Sequence, residues 1–138
     1  MTKREALEKC MDQWQRIHTE LSKMEAAAAD GELFQILAFN IFKRRILRNA
    51  NVSDDDYPSN ACYLCEYVQT WHPTLYTMSL ACEYCPLKGY AWEQCEMDGS
   101  YLACNDAYDE ECFGDAADYA LEICVACERA LEDLDNEE

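Results

Sequence analysis

The sequence predicts a mainly α-helical fold, with antiparallel N- and C-terminal helices, a second helix, and a small loop-rich lobe inserted between them. Three observations predict it. Apolar residues recur at intervals of three and four near the start of the chain and again over its last 25 residues, the spacing of one helix face. Between these stretches the helical period gives way to cysteines, prolines and aromatics. Half of the 138 residues are apolar, which suits one compact core. The expected divisions are a helical pair at 1–56, a cysteine-rich lobe at 57–113 and an acidic closing helix at 114–138.

The first helix is announced by Thr2 with Glu5 three residues on, a capping-box pattern. Leu7, Cys10, Met11, Trp14, Ile17, Leu21, Met24 and Ala28 then form one apolar stripe, and Asp30-Gly31 ends it. The stripe needs a partner, either another helix of this chain or a second copy in a homodimer. Glu32 to about Asn49 reads as the second helix, with Leu33, Phe34, Leu37, Ile41 and Phe42 on a broad apolar face. Its end carries Lys43, Arg44, Arg45 and Arg48, the one basic cluster, read as a solvated helix end or an internal partner for acidic residues in preference to a phosphate contact. Residues 51–60 have linker chemistry.

Cys62-Tyr63-Leu64-Cys65 and Cys82-Glu83-Tyr84-Cys85-Pro86 are two Cys-x-x-Cys pairs separated by sixteen residues, with Cys95 nine residues further on. Such pairs at this separation are a zinc-site spacing, because each places two thiolates on one turn and the turns then close around the ion. The expected ligands are Cys62, Cys65, Cys82 and Cys85, with Cys95 as a fifth thiol that replaces one of them or sits beside the site. Four protein ligands leave no position for a reactive water, so the zinc is expected to be structural. Disulfides and inert buried thiols are the competing readings. The N-terminus lacks the apolar core of a signal peptide, so a reducing cytoplasm is expected and metal is favoured. No apolar run is long enough for a membrane span.

After Cys95, Asp98-Gly99 marks a turn, and Tyr101, Leu102, Tyr108 and Phe113 are expected to cover the lobe. Cys104, Cys112, Cys124 and Cys127 offer a second four-sulfur set, although Cys124 and Cys127 also fit two core positions one helical turn apart. Gly114-Asp115 opens the last helix, whose expected inward stripe is Ala117, Ala120, Leu121, Cys124, Cys127, Leu131 and Leu134.

The formal charge of −17 is unevenly placed. Residues 1–56 hold ten acids and nine bases, whereas residues 93–138 hold sixteen acids against Arg129 alone. Such a field repels phosphate backbones and attracts basic surfaces, so direct nucleic-acid binding through this face is not expected and a basic protein partner is. The candidate partner-binding residues are Asp106, Asp109, Glu110, Glu111, Asp115, Asp118, Glu122, Glu128, Glu132 and Asp133. No catalytic constellation is found: His18 and His72 stand far apart in sequence and no glycine-rich phosphate loop exists among four glycines. The chain is therefore expected not to be an enzyme.

The N-terminal helix with Trp14, then Cys62-Tyr63-Leu64-Cys65-Glu66-Tyr67, Cys82-Glu83-Tyr84-Cys85-Pro86-Leu87, Cys95-Glu96 and an alanine-rich closing helix resemble a group of small proteins encoded by tailed bacteriophages. The resemblance implies a zinc-bound phage product acting in the bacterial cytoplasm and implies no activity. Cys104, Cys112, Cys124, Cys127 and the acid density after residue 93 depart from that pattern. The expected function is an acidic zinc-binding protein that inhibits a host nucleic-acid-binding or defence protein, such as a nuclease or transcription factor, by occupying its basic surface. The alternative is a structural zinc-binding adaptor or subunit of a phage complex, without mimicry.

Overall fold

The computed structural model describes residues 1–52, 58, 62–72, 84–93 and 98–137. Among them lie five helices, α1 (Lys3–Ala29), α2 (Phe39–Asn49), α3 (Tyr63–Trp71), α4 (Gly99–Asp109) and α5 (Phe113–Asn136), so the fold is mainly α. The one β feature among the described residues is an isolated bridge between Lys88 and Trp92.

Helix α1 starts where its cap predicts, with Thr2 Oγ1 accepting the Glu5 backbone N–H at 3.1 Å. It ends in a Schellman arrangement: Gly31, at φ 91°, donates to the Ala28 carbonyl, and Glu32 donates to that of Ala27. The stripe is buried at Leu7, Cys10, Trp14, Ile17 and Leu21, half-buried at Met11 and Met24, and exposed at Ala28. Ala6 and Gln13 join it in the core.

The second helix is shorter than its periodicity predicts. Residues 32–38 are not helical, and α2 begins only at Phe39. Tertiary contacts hold the entering segment: Phe34 packs edge-on to Phe113 at 5.6 Å, and the Tyr108 hydroxyl is hydrogen-bonded to the Leu37 backbone. Leu33, expected on the apolar face, is 98% exposed.

The main interface joins α1 to α5. His18 Nδ1 donates to the Ala117 carbonyl at 2.8 Å, the Cys124 thiol contacts the Met11 carbonyl at 3.8 Å, and Arg4 pairs with Asp135. Ala116, Ala117, Ala120, Ala126 and Ala130 are all buried, and their small side chains let the two helices approach closely. Leu121, expected inward, is instead 46% exposed, because the buried arc runs through Ile123 and Ala116 on the other side of Ala120.

Helix α4 is not foreseen by the sequence reading. It carries Tyr101 and Tyr108 into an aromatic core, where Tyr101 meets Trp14 at 5.7 Å and Phe39 at 5.9 Å, and Tyr108 meets Phe42 at 4.9 Å. Tyr101, Tyr108 and Phe113 thus fill the centre of the molecule. Lys43 is corrected in the same way. It is 1% exposed, and its ammonium donates to the Tyr101 hydroxyl at 2.7 Å and lies 4.6 Å from that ring's centroid. Arg44, Arg45 and Arg48 remain exposed.

Candidate functional site

The first Cys-x-x-Cys pair forms the start of a helix. Cys62 is the N-cap of α3, with extended backbone at φ −138° and ψ 113°, and Cys65 lies in the first turn. The Glu66 N–H donates to the Cys62 carbonyl at 3.2 Å, which closes that turn. A helix N-terminus points unpaired N–H groups outward and so favours an anion there. The Cys62 thiol is accordingly lowered to about 6, first by hydrogen bonding from the Cys65 side chain, then, against the opposing effect of burial, by the Lys43 ammonium and the backbone N–H groups of Cys65 and Leu64. Cys62 is thus the described cysteine best suited to be a thiolate at neutral pH.

Cys85 is half-buried and begins a tight turn, its carbonyl accepting the Lys88 N–H at 3.0 Å. Leu87, two residues on, is fully buried and anchors the segment in the core. Cys82 and Cys95 lie outside the described residues. His72, between the two cysteine pairs, stacks on Tyr84 with centroids 4.0 Å apart.

Two further cysteines stand beside this group, Cys10, not foreseen as a site residue, and Cys127, considered only for the second four-sulfur set. Cys10 of α1 and Cys127 of α5 are 1% and 0% exposed. A hydrogen bond with Cys127, burial, and the nearby sulfurs of Cys127, Cys62 and Cys85 hold the Cys10 thiol well above its ordinary range. By periodicity Cys10 is an ordinary stripe position, and Cys127 is either that or a member of the second set. The signal for them was the pairing of the two stripes, which sequence periodicity alone does not register.

The second four-sulfur set does not gather. The Cys104 thiol donates to the Ala116 carbonyl at 3.3 Å, Cys112 is exposed near its own turn, Cys124 faces Met11, and Cys127 faces Cys10. Burial pushes the Cys104 thiol up to about 12, as it does that of Cys124. Among the described residues, no three His, Cys, Asp or Glu side chains converge at metal-binding distance.

The acidic candidates occupy the last turn of α4, the turn that follows it and the exposed side of α5. Asp106, Asp109, Glu110, Glu111, Asp115, Asp118, Glu122, Glu128, Glu132 and Asp133 are all exposed. Among the described residues, none of the ten is in an ion pair. Glu122 accepts from Ser100 Oγ at 3.0 Å and Asp133 from the Tyr90 hydroxyl at 2.5 Å, so two of the carboxylates are held in position. From Asp118 to Glu132 the charges run about 21 Å along the helix axis. Glu111 adopts a positive φ of 61° at a Schellman position where glycine is favoured, so a carboxylate stands there at a backbone cost. Leu121 and Val125 lie exposed between the acids, and Arg129 is the only base on the helix.

No helix of the described residues is long and apolar enough to cross a membrane. No protein-family model, curated protein or solved structure matches the chain.

Proposed function

We propose that this protein is a non-enzymatic interaction protein that occupies the basic, nucleic-acid-binding surface of another protein, its carboxylates standing where phosphates would bind. One observation carries the reading: ten exposed carboxylates, free of ion pairs among the described residues, lie on the end of α4, the turn after it and α5. The small-residue contact of α1 with α5, in an antiparallel pairing, backs that helix with a packed core, so the charges are presented as a fixed shape. Such a field accelerates encounter with a positive surface and loses strength as salt rises.

Zinc completes the proposal. Thiolates from the group Cys62, Cys65, Cys82, Cys85 and Cys95 hold a structural ion that fixes the shape of the lobe. The N-cap position and lowered thiol of Cys62 support this reading. The resemblance to phage proteins makes the partner a bacterial host protein, a defence nuclease or a transcription factor.

The test is capture from bacterial lysate by the intact protein and by a variant with Glu122→Gln, Glu128→Gln, Glu132→Gln and Asp133→Asn. The expected result is capture of a nucleic-acid-binding protein by the intact chain, release as salt rises, and loss in the variant. Capture indifferent to salt and to the four substitutions would replace this reading with that of an adaptor.

A further inference from the structure

Five of the described cysteines come from four parts of the chain and reach one region. The backbone register brings them there independently of any sulfur chemistry. The contacts of His18 with Ala117 and of Arg4 with Asp135 bracket Cys10 on α1 and Cys127 on α5, and the two side chains meet between these contacts. The Lys9 ammonium lies over the Tyr63 ring, 5.7 Å from its centroid, which joins the neighbours in sequence of Cys10 and Cys62. The Tyr90 hydroxyl, on the segment that starts near Cys85, donates to Asp133 on α5. Cys10 and Cys127 belong to the buried core, and Cys62 and Cys85 pack against it.

We infer that Cys10 and Cys127 are metal ligands, joining Cys62 and Cys85 around one zinc ion held between the first helix, the last helix and the lobe. The inference rests on the zinc reading above and changes its ligand set. Four thiolates satisfy the tetrahedral preference of zinc and leave a net negative charge at the centre. The buried Lys43 ammonium, which acts on Cys62, offsets that charge. Cys65 takes a supporting role, donating to the Cys62 sulfur through its side chain and its backbone N–H. Among the described residues no three cysteine side chains stand at metal-binding distance, so the ion itself would have to draw the four sulfurs together. The ion then ties both ends of the chain to its middle. A site confined to residues 62–95 would fasten the lobe only to itself.

The experiment compares the full-length chain with the double variants Cys10→Ser/Cys127→Ser and Cys62→Ser/Cys85→Ser in zinc competition against a chromogenic chelator. Loss of affinity by at least about tenfold in both variants is expected. If only the second variant loses affinity, Cys10 and Cys127 are not ligands and the inference falls, while the zinc reading stands. If the unaltered chain binds no zinc, both fall. A second measurement needs no substitution and so is immune to misfolding. The unaltered chain is loaded with NMR-active cadmium, and scalar coupling is traced from the metal to cysteine β-protons. Couplings to Cys10 and Cys127 are expected. Couplings confined to cysteines within residues 62–95 would overturn the inference.

Discussion

Gly99 is the position where a single methyl group should do most damage. It opens α4 with φ at 71°, and a Cβ built there would stand 2.2 Å from the Ala91 carbonyl oxygen and 2.9 Å from both Cα and Cβ of Trp92. These atoms cannot swing aside as a side-chain tip would. Two costs therefore add in Gly99→Ala: roughly 1–2 kcal/mol for a left-handed backbone with a Cβ, and roughly 1–3 kcal/mol for forcing packed atoms apart. Gly89 supplies the control. Its φ is 84°, but nothing lies within 4 Å of its added Cβ, so Gly89→Ala should lose the backbone part alone. Urea unfolding followed by far-ultraviolet circular dichroism measures both. Gly99→Ala should be less stable than Gly89→Ala by roughly 1–3 kcal/mol. The same contact joins the segment bearing Cys85 to α4, since the Ser100 N–H donates to the Ala91 carbonyl at 3.1 Å. Cys85 in the Gly99 variant should therefore be alkylated faster. Equal stabilities for the two variants would refute the claim that backbone crowding seats this segment.

Three further outcomes are expected. Glu111→Gly should stabilise the protein by roughly 0.5–1 kcal/mol in the same urea assay, since glycine relieves the positive φ but adds entropy to the unfolded chain; a loss of stability would show that Glu111 makes a favourable contact. Tyr101→Phe should cost roughly 1.5–3 kcal/mol, because it removes a hydrogen bond to the buried Lys43 ammonium; an unchanged midpoint would mean that the ammonium does not depend on that hydroxyl. Cys104 is fully buried with its thiol raised from 9.0 to about 12, so the stability it contributes is complete below about pH 9 and is lost as pH rises toward 12. At about pH 10 the loss should be on the order of 1 kcal/mol. Urea titrations of the intact protein and of Cys104→Ala should diverge between about pH 8 and about pH 10, and parallel profiles would remove the explanation.

Local chemistry accounts for what was legible before the structure. Thr2 and Gly31 mark both ends of α1, and the three-and-four spacing between them marks the buried face, because capping and helical periodicity act within a few residues. Helix α4 escaped because Tyr101, Cys104 and Tyr108 are spaced like a helix face but interrupted by polar residues, and its cap, Asp98, makes no capping bond with its side chain. Residues 32–38 erred the other way. Their apolar pattern suits a helix, but the contacts of Phe34 and Leu37 with side chains more than seventy residues away hold them otherwise.

By itself the sequence determined the helical class, the first and last helices, and the confinement of negative charge to the final third. Each of these depends on residue type and on short spacing. Only the tertiary structure decided that Lys43 leaves the basic cluster for an aromatic core, that Leu121 faces outward, and that Cys10 meets Cys127. The sulfurs of those two cysteines are 117 positions apart in the chain, and what joins them is the register between two packed helices. That register is set by which small side chains let the backbones approach, a property of both surfaces together that neither stripe reveals alone.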